Sequence, residues 1–189
     1  MEENRRVKIT KTMIKDAFLE LLEKHPIEKI SVTDICKGAD VNRSTFYAYY
    51  TDVTELLHEI ENNVLIQIPV SKELPEIYSD NNEYLKMLED FFVYVKQNEK
   101  LFRTLIINSD SSDFNRRLVE TIMTKYPKDT SGKSKILIDY GYIYSINGVI
   151  GLLRAWIMGG FPVSAKVFAK IILEMSLRAN DISGEDIGL

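Results

Sequence analysis

Four consecutive polar residues, Asn42, Arg43, Ser44 and Thr45, are followed by two tyrosines, Tyr47 and Tyr49. An arginine presents a rigid fork of donors that matches the two acceptors of a guanine edge, or a phosphate. Hydroxyl groups of Ser, Thr and Tyr donate to phosphate oxygens. Such a set is suited to reading a nucleic acid rather than to making or breaking bonds. Nucleophilic or metal chemistry needs partners that the chain lacks: its only histidines, His25 and His58, have no paired ligand spacing, and there is no GxSxG, CxxC or HExxH. The stretch Ser131-Gly132-Lys133-Ser134 ends like a phosphate-binding loop, but Pro127 stands at the first glycine position and no strand pattern precedes it. Carboxylate pairs such as Asp16 and Glu20 fall on one solvated helix face. The expectation is therefore no catalytic residue, no metal and no cofactor.

The elements that hold this polar cluster are short helices. Ile9, Met13, Ile14, Ala17, Phe18, Leu21 and Leu22 recur at three- and four-residue steps, the signature of an amphipathic helix, which ends near His25-Pro26. Ser31 with Asp34 forms a capping-box start for a second helix carrying Val32, Ile35 and Ala39. Asn42 is the N-cap of a third and Asp52, with Glu55, of a fourth, which carries Leu56, Leu57, Ile60, Val64 and Leu65 and stops before Pro69. Between Ser31 and Tyr50 the layout is helix, four-residue turn around Gly38-Ala39-Asp40-Val41, helix: a helix-turn-helix. Asn42 to Thr45 then lie at the N-terminus of its second helix, where free backbone N–H groups and the helix dipole favour phosphate. The residues expected to contact DNA are Thr33, Asn42, Arg43, Ser44, Thr45, Tyr47, Ala48 and Tyr49.

The remainder is helical too. Pro69 to Asn82 reads as a junction; Leu85 to Val95, Leu101 to Ile107, Phe114 to Tyr126, Ile136 to Met158 and Ser164 to Ala179 read as helices, with a polar loop at Pro127 to Lys133 and a stop signal at Gly159-Gly160-Phe161-Pro162. No strand alternation appears, so the fold class is all-α. Two domains are expected, a helix-turn-helix domain over residues 1–68 and a helical domain over 69–189.

Bulk properties set limits on these readings. The 189 residues are 45 % apolar and 28 % charged, the composition of a soluble globular protein. Twenty-four basic against 28 acidic residues leave a net charge of −4, so any attraction to DNA is local. The opening Met-Glu-Glu-Asn-Arg-Arg carries no apolar leader, and the single Cys36 has no internal disulfide partner; both point to the cytoplasm. The apolar run Tyr140 to Phe161 contains Asn147 and Arg154, and an arginine at a bilayer centre is disfavoured by roughly 2.5–3.5 kcal/mol, so a buried helix is expected rather than a membrane span.

Ile9 to Leu57 resembles the N-terminal domain of the tetracycline-repressor (TetR) family of transcriptional regulators, through Ala17, Val32, Asp34-Ile35, Ala39, Val41, Thr45, Tyr47, Tyr50 and Leu56-Leu57. The resemblance implies that Thr45 and Tyr47 hold phosphates, that Arg43, Ala48 and Tyr49 face the major groove, and that Phe46 and Tyr50 are core. Two positions depart from the family pattern. Asp40 replaces the usual turn glycine, although Asp tolerates the left-handed backbone better than most residues. Val53 replaces a usual phosphate-binding lysine, with Arg5, Arg6, Lys8, Lys11 and Lys15 as basic residues available to compensate.

In the second half, the helix from Ile136 to Met158 carries only Asp139 and Arg154 as charges. At about 100° per residue, Gly141, Gly148, Gly151, Ala155 and Gly159 share a narrow face opposite Tyr142, Ile146, Val149, Leu153 and Ile157. A face of small residues accepts either a second subunit or another helix of the same chain. The family resemblance implies the former, a homodimer built on the last two helices, and the expected interface is Gly141, Gly148, Gly151, Ala155, Phe168 and Ile172. It also implies a small-molecule effector, with Phe91, Phe102, Tyr140, Tyr144 and Trp156 as candidate pocket walls. The expected partners are a near-palindromic double-stranded operator, a second copy of the chain and an effector, with no membrane. The expected action is repression relieved by that effector. The alternative is a helical protein-interaction module that keeps this fold and no longer binds DNA.

Overall fold

The computed structural model describes residues 5–69, 81–108, 112–125 and 135–180. Nine α-helices lie among them: α1 (Arg5–Leu22), α2 (Val32–Gly38), α3 (Arg43–Tyr47), α4 (Val53–Gln67), α5 (Asn81–Gln97), α6 (Glu99–Phe102), α7 (Ser112–Lys125), α8 (Lys135–Met158) and α9 (Ala165–Asn180). A short 3₁₀ turn, Ile27–Lys29, joins α1 to α2, and a π-helical stretch, Arg103–Asn108, follows α6. The described residues form no strand. The all-α expectation holds, and no described helix is long and apolar enough to cross a membrane. Most of the expected junction, residues 70–80, and the polar loop with Ser131-Gly132-Lys133-Ser134 lie outside the described residues.

The chain divides into two compact units, Met1–Ile66 with Thr104–Asp110, and Gln67–Arg103 with Ser111–Leu189. A single break near residue 68 does not capture this division. Thr104, Leu105 and Ile106 are buried, and a local apolar run says nothing about which core it will join.

In the first unit, Ile14, Ala17 and Phe18 of α1 pack with Ile35, Phe46, Tyr50, Leu56 and Ile60 in the apolar core. At the crossing of α1 and α2 the backbones approach closely: a Cβ added to Gly38 would meet the Ala17 Cβ at 3.2 Å. In the second unit, α9 packs on α5 and α8 around an aromatic cluster. Trp156 stacks on Phe168 at 4.4 Å between ring centroids, and Phe92 meets both rings at an angle. The Trp156 indole donates to the Val163 carbonyl at 3.0 Å, which satisfies its one polar group.

The stop signal after α8 acts as composition predicts. Gly160 has φ +69°, the Phe161 N–H donates to the Trp156 carbonyl and the Gly160 N–H to the Ile157 carbonyl. These two bonds close the end of α8 in a Schellman motif.

Candidate nucleic-acid interface

The expected caps form. Ser31 Oγ accepts from the Asp34 N–H at 3.2 Å, while the Asp34 carboxylate accepts from the Ser31 hydroxyl at 2.5 Å and from the Ser31 N–H at 3.3 Å, and these last two bonds, the hydroxyl first, hold its carboxyl below the usual carboxylate range. The turn from α2 to α3 passes through Asp40 at φ +53°, so aspartate occupies the left-handed position without a glycine. The Val41 N–H donates back to the Cys36 carbonyl at 3.0 Å and closes the turn.

Asn42 then starts α3. Its Oδ1 accepts from the Thr45 N–H at 2.8 Å, from the Thr45 hydroxyl at 2.8 Å and from the Ser44 hydroxyl at 2.6 Å. Sequence reading identified the cap but not this convergence of three donors on one oxygen. Its consequence is that Asn42 and Thr45 hold each other, so both are positioned before any ligand arrives. Phe46 and Tyr50 are buried, as the resemblance implied, and Phe46 packs against Tyr47 and Tyr50. Phe46 therefore anchors α3 while its neighbours face outward.

Thr33, Asn42, Arg43, Ser44, Tyr47 and Ala48 are exposed; Thr45 and Tyr49 are half-buried. Tyr47 is a large side chain left 49 % exposed beside a well-packed core. The Arg43 guanidinium lies 5.9 Å from its ring centroid and donates to its hydroxyl at 3.4 Å, one helical turn away. That bond raises the Arg43 pKa further. Arg43 and Tyr47 thus form one preset, positively charged surface, and their four-residue spacing was the signal for it.

The fourth helix begins with acids. Asp52 accepts from the Glu55 N–H at 2.8 Å, and Glu55 accepts from the Thr51 N–H and hydroxyl at 2.6 and 2.7 Å, which holds the Glu55 carboxyl below its usual range. Val53 follows directly, so no cation stands at this helix start. Two of the basic residues considered as compensation are committed elsewhere. Lys11 and Lys15 of α1 pair with Glu59 of α4 at 3.1 and 2.7 Å, and the Tyr50 hydroxyl donates to the same carboxylate at 3.1 Å. Burial pulls the Glu59 carboxyl upward, but the two ammonium groups outweigh it and the net shift is downward. Glu59 ties α1 to α4 and to the end of the reading segment. A glutamate on a helix carries no sequence mark of such a role, which is why the reading missed it. Arg5, Arg6 and Lys8, at the start of α1, are exposed.

A profile described as bacterial regulatory proteins of the tetR family matches residues 14–60, and one described as a transcriptional regulator C-terminal region matches residues 82–178. The chain belongs to the TetR family of transcriptional regulators. It is 27 % identical over 130 residues to the HTH-type dhaKLM operon transcriptional activator DhaS of Lactococcus lactis, a match spanning 67 % of this chain and 65 % of that protein, just under two thirds of its length. Its fold is similar to a TetR transcriptional regulator from Streptococcus agalactiae (TM-score 0.63, 22 % identity, 91 % of this chain and 96 % of the other). It is also similar to NalD, the secondary repressor of the MexAB-OprM multidrug efflux pump in Pseudomonas aeruginosa (TM-score 0.57, 19 % identity, 93 % and 97 %). The family is one of regulators rather than enzymes.

In the regulator's second unit the sequence-chosen residues separate into three groups. Phe168 and Ile172, expected at a dimer surface, lie in the unit's own core, because α9 turns that stripe towards α5 and α8. Gly141 and Gly148 are half-buried, Gly151 and Ala155 are exposed, and a Cβ added at Gly148 or Gly151 would meet nothing within 4 Å. Tyr140 and Tyr144, expected as pocket walls, are 69 % and 72 % exposed on this outward face, with Ile136, Ile143 and Met158. Trp156 and Phe102 are core. Of the five pocket candidates, Phe91 lines a cavity of about 280 Å³ bounded by Gln67, Pro69, Met87, Asp90, Phe91 and Tyr94.

Proposed function

We propose that this TetR-family regulator binds a near-palindromic DNA operator as a homodimer and represses transcription until a small-molecule effector lowers its affinity. The observation that carries DNA binding is the preset α3 surface, in which Arg43 and Tyr47 are paired and exposed beside the Asn42 cap. Arg43 would read a guanine edge, Thr45 and Tyr47 would fix phosphates, and Ala48 and Tyr49 would meet the groove wall. The exposed apolar face of α8 supports dimerisation, since Tyr140, Tyr144 and Met158 are large side chains that water disfavours. Two copies then present two α3 helices, which enter successive major grooves when roughly 34–36 Å apart.

Repression is the simpler action because a bound dimer obstructs a promoter without touching a second protein. The DhaS similarity favours a second reading, activation, in which the bound dimer recruits another protein. A promoter-reporter assay separates the two: repression predicts higher output when the regulator is deleted, and activation predicts lower output. An effector would act by binding one spacing of the readers better than the other. Localisation in the cytoplasm and the absence of enzymatic activity follow from this reading. A helical interaction module would give no specific DNA shift at any salt concentration, whereas a DNA reader loses about 0.9 log units of affinity per phosphate contact for each log unit of salt.

A further inference from the structure

Arg154 is one of three charged residues along the largely apolar α8, with Lys135 and Asp139, and its surroundings differ from those of every pairing described in the first unit. Its Nη2 donates to the Asn115 Oδ1 of α7 at 3.1 Å. Its Nε is buried and has no hydrogen-bond partner. Among the described residues no carboxylate pairs with it, while Arg103, Arg116 and Arg178 each have a glutamate one turn away. A buried donor left unpaired is costly, and more so on a charged group. An arrangement of that cost is retained where something else completes it.

The atoms involved define the missing group. Nε–H and Nη2–H point in parallel from one edge of a guanidinium, and the acceptor that fits this edge is a pair of oxygens on one carbon or phosphorus. A single amide oxygen fills only half of it. Asn115 lies in the first turn of α7, where the helix dipole also favours negative charge. The residue as a whole is half-buried.

We propose that the Arg154 edge, with Asn115, is the anion-recognition point of the effector site, and that the effector carries a carboxylate or phosphate. This rests on the regulator reading for its consequence on DNA, but the binding event itself does not. On binding, one oxygen of the anion replaces the Asn115 Oδ1 at Nη2, the other accepts from Nε, and the freed Asn115 amide donates to the anion through Nδ2.

Trp156 is the only tryptophan of the chain and stands two residues from Arg154, so its emission reports on this segment without any DNA present. The full-length protein is titrated with inorganic phosphate, glycerol phosphate, acetate and citrate against sodium chloride at matched ionic strength. Tryptophan emission and melting temperature are followed together. The expected result is a saturable response to at least one phosphate or one carboxylate and none to chloride, the two anion series distinguishing the sources. Arg154→Lys, which keeps the charge and loses the edge, weakens that response tenfold or more. Asn115→Asp supplies a carboxylate from within the chain, raises the melting temperature and abolishes the response. A response to anions that is the same in wild type and Arg154→Lys overturns the assignment, as does no saturable response to any of the four, or a lowered melting temperature in Asn115→Asp. DNA retardation with the same samples is read separately: failure to shift DNA contradicts the regulator reading and leaves the anion result standing.

Discussion

The two units differ in how fully their candidate surfaces are satisfied from within the chain. In the first, one carboxylate takes two lysines and a tyrosine, one asparagine oxygen takes three donors, and each helix start named in the sequence is capped. In the second, α8 leaves large apolar side chains exposed and an arginine donor buried without a partner. A reader that must meet a fixed target gains from being complete before contact, because little remains to be ordered on binding. Under the proposed function, the second unit is completed by what binds to it.

The strongest challenge to this contrast is to remove the anchor of each unit. Phe46→Ala and Trp156→Ala each delete a buried ring and are expected to cost about 3–5 kcal/mol in urea unfolding followed by circular dichroism. A cost well under 1 kcal/mol at either site would mean that its ring is not the anchor described. A smaller effect sharpens the claim that α3 is preset: Asn42→Ala removes the acceptor for three donors and should cost about 1 kcal/mol of stability, with Asn42→Ser recovering most of it. At the same surface, Val53→Lys adds a cation at the start of α4. It should steepen the fall of log affinity with log salt by about 0.9, as measured by fluorescence anisotropy on operator DNA.

The smallest effect concerns Glu59. Its folded pKa lies below its ordinary value of 4.5, so the stability it adds is present above that value and is lost as pH falls through the folded pKa. Wild type should exceed Glu59→Gln in melting temperature at pH 7, and the gap should close as the pH drops below 4.5. A gap that persists unchanged into acid would show that the Lys11 and Lys15 contacts do not depend on the charge.

The reading segment was legible because its rules are local. Caps act over three residues and the left-handed Asp40 is a property of one residue, while the core places of Phe46 and Tyr50 came from the family resemblance. The burial of Phe168 and Ile172 was not, since an apolar stripe shows that it is covered but not by which helix. Tyr140 and Tyr144 were assigned to a pocket on their aromatic character, yet in a helix with apolar residues all round only packing decides which side is left outside. Glu59, Lys11 and Lys15 lie 44 to 48 positions apart in sequence, beyond any periodicity, and Thr104 to Ile106 joined a unit formed mainly by residues 1–66.

The central claim is that the exposed Arg43–Tyr47 surface reads DNA sequence, and selection of bound fragments from random double-stranded DNA by the full-length protein tests it most directly. The account predicts an enriched near-palindrome with half-sites about one helical turn apart, 10–10.5 base pairs. In Arg43→Ala, discrimination at one base pair of each half-site should relax by about 1–3 kcal/mol. No enriched sequence, or an enriched sequence whose preferences are identical in Arg43→Ala, would contradict it.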